Sequence, residues 1–135
     1  MQDASFSRRH LGSLLIGLVG TIAAPRLVVG EGATALPLIK VARDASCGCC
    51  ALWADHLGAA GFPVEVYDRR DLTAFKAKLG VPSDLVSCHT GEVAGYVIEG
   101  HVPASAIVRL LAAKETIKGL AVPRMPIGSP GRRSG

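Results

Sequence analysis

Three cysteines lie within four residues, at Cys47, Cys49 and Cys50. A fourth, Cys88, is followed directly by His89. A disulfide framework spreads its staples through a small fold, whereas this cluster concentrates its thiols at one place. Cys47 and Cys50 have Cys-x-x-Cys spacing, with an extra thiol between them, and Gly48 lets the backbone bend enough for the sulfurs to converge. Two chemistries fit: thiol–disulfide exchange and coordination of a soft metal. Neighbours in a strand point to opposite faces, so in a strand Cys88 would reach the site and His89 would not. In a loop both would reach it.

Those residues need elements to hold them. Leu38–Ala42 reads as a short buried strand. Ser46, or the turn around it, caps a helix from about Cys49 to Ala60, which Gly61 ends; Leu52, Trp53, Leu57 and Ala60 share one face. Val64–Tyr67 alternates as a second strand, and Asp71 caps a short helix through Leu79, closed by Gly80. Pro82–Thr90 reads as a loop, Val93–Ile98 as a third strand, and His101-Val102 as a short fourth after a turn at Gly100. Pro103 opens a last helix, Ala104–Lys114, with Ile107, Val108, Leu110 and Leu111 as its apolar face. From Gly119 onward the prolines and glycines forbid regular structure. The order β-α-β-α-β-β-α implies a single α/β domain. It resembles the thioredoxin/glutaredoxin fold, whose Cys-x-x-Cys stands at the junction of the first strand and first helix. Helix N-termini favour the thiolate, which is both the attacking and the metal-binding form. The resembling oxidoreductases carry a proline before their third strand, and here Cys88 and His89 stand there instead, which tilts the reading towards metal.

The chain has 135 residues, 49% hydrophobic and 19% charged, which excludes a disordered chain. Aromatics at 4%, and no basic face despite a net charge of +4, argue against nucleic acid. Residues 1–35 read as a cleaved twin-arginine export signal. Ser7-Arg8-Arg9-His10-Leu11 carries the paired arginines, an apolar run from Leu14 to Ala24 follows, and Ala33-Thr34-Ala35 is a small-residue cleavage site. The apolar run is too short to span a bilayer. The expected product is a periplasmic chain, with a domain over residues 36–118, a Pro/Gly-rich tail over 119–135, and no stable membrane span after cleavage.

Several motifs then combine. Cys-Gly-Cys-Cys at 47–50, Trp53, His56 and Gly61-Phe62 lead into Leu79-Gly80-Val81-Pro82. Ser87-Cys88-His89-Thr90, Gly95-Tyr96, Ile98-Glu99-Gly100-His101-Val102-Pro103 and Gly119–Pro123 follow. Together these resemble the bacterial family called domain of unknown function 411, described as predicted metal-binding proteins linked to copper handling. The resemblance implies metal ligands among Cys47, Cys49, Cys50, Cys88 and His89, and a thioether from the tail at Met125. Family tails carry a second methionine where Arg132 stands here.

His56, about 10 Å along its helix from Cys49, is expected to be structural. His101, at the far end of the expected third strand, should stand away from the cluster, and Trp53 should anchor the core. One Cys-x-x-Cys with Cys88 and His89 would satisfy zinc. The extra Cys49, Met125 and export favour Cu(I). The expectation is a metal-binding protein rather than an enzyme, sequestering Cu(I) or passing it to a periplasmic partner. The alternative is a periplasmic thiol–disulfide oxidoreductase using Cys47 and Cys50.

Overall fold

The computed structural model describes residues 34–133. The expected export signal, except its last two residues, lies outside them. Among the described residues no helix is long and apolar enough to cross a membrane.

The chain from Thr34 onward is a mixed α/β unit. Its elements run β1 (Ile39–Arg43), α1 (Gly48–Ala59), β2 (Val64–Asp68), α2 (Leu72–Leu79), β3 (His89–Val93), β4 (Tyr96–Gly100), α3 (Ala104–Ala113) and β5 (Gly119–Val122). The five strands make one sheet in the order β2-β1-β3-β4-β5. β1–β2 and β4–β5 are parallel, each joined through a helix, as parallel neighbours require. β1–β3 and β3–β4 are antiparallel.

The first half of the chain follows its sequence signals closely. Gly80 closes α2 in the left-handed conformation, and Asp71 is its N-cap residue, though its carboxylate pairs with Arg69 instead of a helix N–H. Cys47, not Ser46, is the N-cap residue of α1. Ser46 is held by the Asp44 carboxylate, to which both its N–H and its hydroxyl donate.

Several expectations for the second half are corrected. The third strand does not run Val93–Ile98: the chain reverses at Ala94-Gly95, giving the hairpin β3–β4. Both turn residues have positive φ, 47° and 85°, the twist a two-residue hairpin needs. His101-Val102 forms no strand but leads into α3. Residues 119–122, expected to lack regular structure, form β5, because α3 carries the chain back to pair alongside β4. On α3, Ala104, Ile107 and Leu110 are buried and Val108 faces solvent.

The core gathers Ile39 and Val41 of β1, Trp53 and Leu57 of α1, Ile98 of β4 and Ile107 of α3 around the sheet centre. Trp53 is its largest member, fully buried, and its Nε1–H donates to the Val102 carbonyl at 2.8 Å. A second, polar lock lies inside the fold. Lys76 is only 3% exposed and Glu99 only 2%. The Lys76 ammonium donates to Glu99 Oε1 at 2.5 Å and to Thr90 Oγ1 at 2.7 Å. Thr90 donates to Glu99 Oε2 at 2.6 Å, and the Ser87 N–H donates to Glu99 Oε1 at 2.7 Å. The pair therefore ties α2 to the hairpin and pins the backbone beside Cys88.

A buried ion pair costs little when complete and much when halved. Lys76→Met is expected to lower the free energy of unfolding by about 3–5 kcal/mol in urea denaturation. A change within about 0.5 kcal/mol, as for an exposed lysine, would show that the pair does not lock the fold.

Candidate metal centre

The start of α1 and the start of β3 meet at one end of the sheet. Cys47 and Cys50 form a disulfide. Cys49 and Cys88 are free and half-buried. Cys49 Sγ lies 3.3 Å from Cys47 Sγ and 3.7 Å from Cys88 Sγ. The four sulfurs all lie within 4.8 Å of one another, close enough to share metal ions once the disulfide is reduced.

A second group overlaps the first at Cys88. Cys88 Sγ is 3.2 Å from His89 Nδ1 and 3.4 Å from His101 Nε2. Cys88 lies just ahead of β3, so it and His89 do converge, as expected for a loop rather than a strand. His101, which the spacing alone leaves outside the site, belongs to it. The hairpin ladder ends with Thr90 opposite Glu99, and just beyond it the chain bends at Cys88 and at His101, which brings the two side chains together. Gly100 supplies the bend: its φ is +73°, and a Cβ there would run into Ser87 and the Val122 carbonyl. The adjacent Gly-His pair is the signal that points to His101 once the hairpin is registered on Ala94-Gly95.

Both imidazoles are set by backbone carbonyls. His89 Nε2 lies 2.9 Å from the Gly100 carbonyl and His101 Nδ1 lies 2.7 Å from the Pro130 carbonyl. A carbonyl only accepts, so each of those nitrogens carries the proton when the ring is neutral. The opposite nitrogens, His89 Nδ1 and His101 Nε2, are then bare and face the Cys88 sulfur. This arrangement, a ring N–H tied to a carbonyl and a free lone pair aimed at one point, is how proteins orient metal-binding histidines. The rings also pack together: His89 lies tilted against Trp53 with centroids 4.3 Å apart, and His89 and His101 meet edge to face with centroids 4.9 Å apart.

The electrostatics agree with the geometry. Burial, reinforced by the neighbouring His101 ring, pushes His89 down to about 3, so it stays neutral and available as a ligand. Burial first, then the adjacent Cys49, raises the Cys88 thiol to about 11. Metal-free Cys88 therefore holds its proton until a cation displaces it.

The remaining sequence candidates separate clearly. His56 is structural, as expected: its Nε2 accepts the Ala104 N–H at 3.0 Å and so caps α3. Met125 is half-buried in the tail, and its carbonyl accepts from Arg132 Nη1 at 2.9 Å.

The buried neutral His89 has a pH signature. Unfolded, it takes a proton at about 6.5; folded, it resists until about 3. The unfolded state therefore binds more protons between those values, and stability must fall as pH falls through that window. The slope from this residue is at most about 1.4 kcal/mol per pH unit. Urea titrations of the metal-free protein across that window should show the loss, and His89→Asn should flatten it. An unchanged slope in the variant would mean that His89 is not held neutral.

Comparison with known proteins bears on this site. The model of the family described as "Protein of unknown function, DUF411" matches residues 85–132, which include Cys88, His89 and His101. Two solved chains, named copper resistance protein CopG in forms 1 and 2, are each 48% identical to this chain with a TM-score of 0.69. Each match covers 74% of this chain, and 80% of form 2 or 79% of form 1. No curated protein matches.

Proposed function

The chain belongs to the DUF411 family, and on that premise we propose that it is an exported protein that takes up Cu(I) and sequesters it or passes it on. The observation that carries this reading is the convergence on Cys88 of three further sulfurs and two bare imidazole nitrogens. A d¹⁰ soft cation accepts two or three thiolate or imidazole ligands without a strict geometry. The similar solved chains are copper resistance proteins by name, which supports copper over zinc.

Cys49, Cys88, His89 and His101 are the ligands at hand while Cys47 and Cys50 are paired. Reducing the disulfide, with two electrons and two protons from a thiol reductant, adds Cys47 and Cys50. Met125 in the tail is a candidate thioether ligand. Cys47 and Cys49 are half-buried at a helix start that borders exposed Gly48, so a partner thiol can exchange ligands stepwise. Such a partner would be a copper-accepting protein of the periplasm, reached after twin-arginine export. The placement of Cys47 and Cys50 at the β1–α1 junction, with β1 between parallel β2 and antiparallel β3, supports a thioredoxin-like reading of the fold.

A second reading has its own observation. The Cys47–Cys50 disulfide at a helix start is what a thiol–disulfide oxidoreductase would present. The free Cys49 beside it and the two histidines serve no step of that exchange, which is why copper is preferred.

Native mass spectrometry of residues 36–135, reduced and handled without oxygen, tests the choice. Given limiting Cu(I) with zinc in competition, the protein should retain copper, and Cys88→Ser should lose most of it. A chain that stays metal-free yet catalyses insulin reduction would overturn the copper reading in favour of the oxidoreductase.

A further inference from the structure

We infer that the C-terminal strap, residues 123–133, is a positioning element of the metal centre: the Pro130 carbonyl selects the His101 tautomer whose bare Nε2 faces Cys88. The inference rests on the reading of the site as a soft-metal centre.

A free neutral imidazole exchanges between two tautomers, and only one nitrogen at a time offers a lone pair. His89 takes its partner from Gly100, within its own hairpin. His101 takes its partner from Pro130, 29 residues along the chain. That carbonyl arrives only if the strap docks. Without it, nothing holds the proton on Nδ1, and the Nε2–H tautomer would aim a proton where the cation must sit. His101 would then be a donor to the Cys88 sulfur rather than a ligand beside it.

The strap is built to dock. After β5 it turns through Arg124 and Met125, both at positive φ. The Ser129 N–H donates to the Pro126 carbonyl at 3.0 Å, and the Arg132 N–H to the Ser129 carbonyl at 3.2 Å. Arg132 Nη1 closes the loop on the Met125 carbonyl at 2.9 Å. Gly131 then lies against α1: its φ is +79°, and a Cβ would come within 2.7 Å of the Trp53 backbone nitrogen. Only glycine allows both the turn and the approach. The contact falls on the residue whose ring packs against His89, so the strap and the histidine pair share one support. Arg132 thus has a structural task in the strap.

The test is made on the full chain, metal-free and reduced, with ¹⁵N-labelled histidine. Two-bond ¹H–¹⁵N correlations distinguish the protonated ring nitrogen from the bare one. In the natural sequence His101 should carry its proton on Nδ1 and His89 on Nε2. Gly131→Val, which cannot seat the strap, should move His101 towards the Nε2–H tautomer and leave His89 unchanged. Pro130→Ala keeps the carbonyl and should keep the natural pattern. With Cu(I) added against a competing chelator, Gly131→Val should bind roughly 10-fold more weakly or worse, the usual cost of losing a ligand's outer hydrogen bond. His101 carrying its proton on Nε2 in the natural sequence would overturn the inference, even if Gly131→Val failed to fold. So would an unchanged tautomer in a folded Gly131→Val. If the natural sequence took up no Cu(I), the copper reading would fail while the tautomer result still decided the role of the strap.

Discussion

In the β3–β4 hairpin the ladder ends with Thr90 opposite Glu99, and the bends just beyond it set Cys88 Sγ 3.4 Å from His101 Nε2. Every other feature of the site depends on that register. A slip by one residue would turn each side chain of β4 to the other face of the sheet. Glu99 would leave Lys76 unpaired, and His101 would leave Cys88. The register is held from both ends, by the Ala94-Gly95 turn and by the buried Lys76–Glu99–Thr90 lock. The lock also accepts the Ser87 N–H, so one carboxylate sets both the hairpin and the residue before the central sulfur.

From that register the chemistry follows in layers. α1 brings three cysteines to the same end of the sheet, because β1 points its C-terminal end there and the helix begins at Gly48. Trp53, one turn along, fills the core and backs His89. Carbonyls from Gly100 and Pro130 leave one lone pair on each imidazole facing inward. Burial keeps His89 neutral and Cys88 protonated until a cation displaces the proton. A soft cation is thus offered sulfur and nitrogen donors already oriented, which lowers the ordering cost of binding.

The cysteine cluster, its place at a strand–helix junction and the mixed α/β class were legible, because spacing, glycine punctuation and short apolar runs are local signals. Cys88 and His89 were legible as candidates for the same reason. His101 was not, because its position depends on which residues turn the hairpin. The turn uses Ala94 rather than the Asn or Asp that usually announces positive φ. β5 was hidden by prolines that begin only after its last residue, Val122. The Lys76–Glu99 pair was also invisible: a lysine in a short helix reads as solvated until the fold buries it.

The proposed copper centre uses Cys88 together with the α1 sulfurs and the two histidines. Copper K-edge X-ray absorption of the reduced, Cu(I)-loaded protein addresses it most directly. Sulfur should dominate the copper's nearest neighbours with an imidazole contribution, and the imidazole signal should weaken in His101→Asn. Nearest neighbours of nitrogen and oxygen alone, or a spectrum that His101→Asn leaves unchanged, would contradict it.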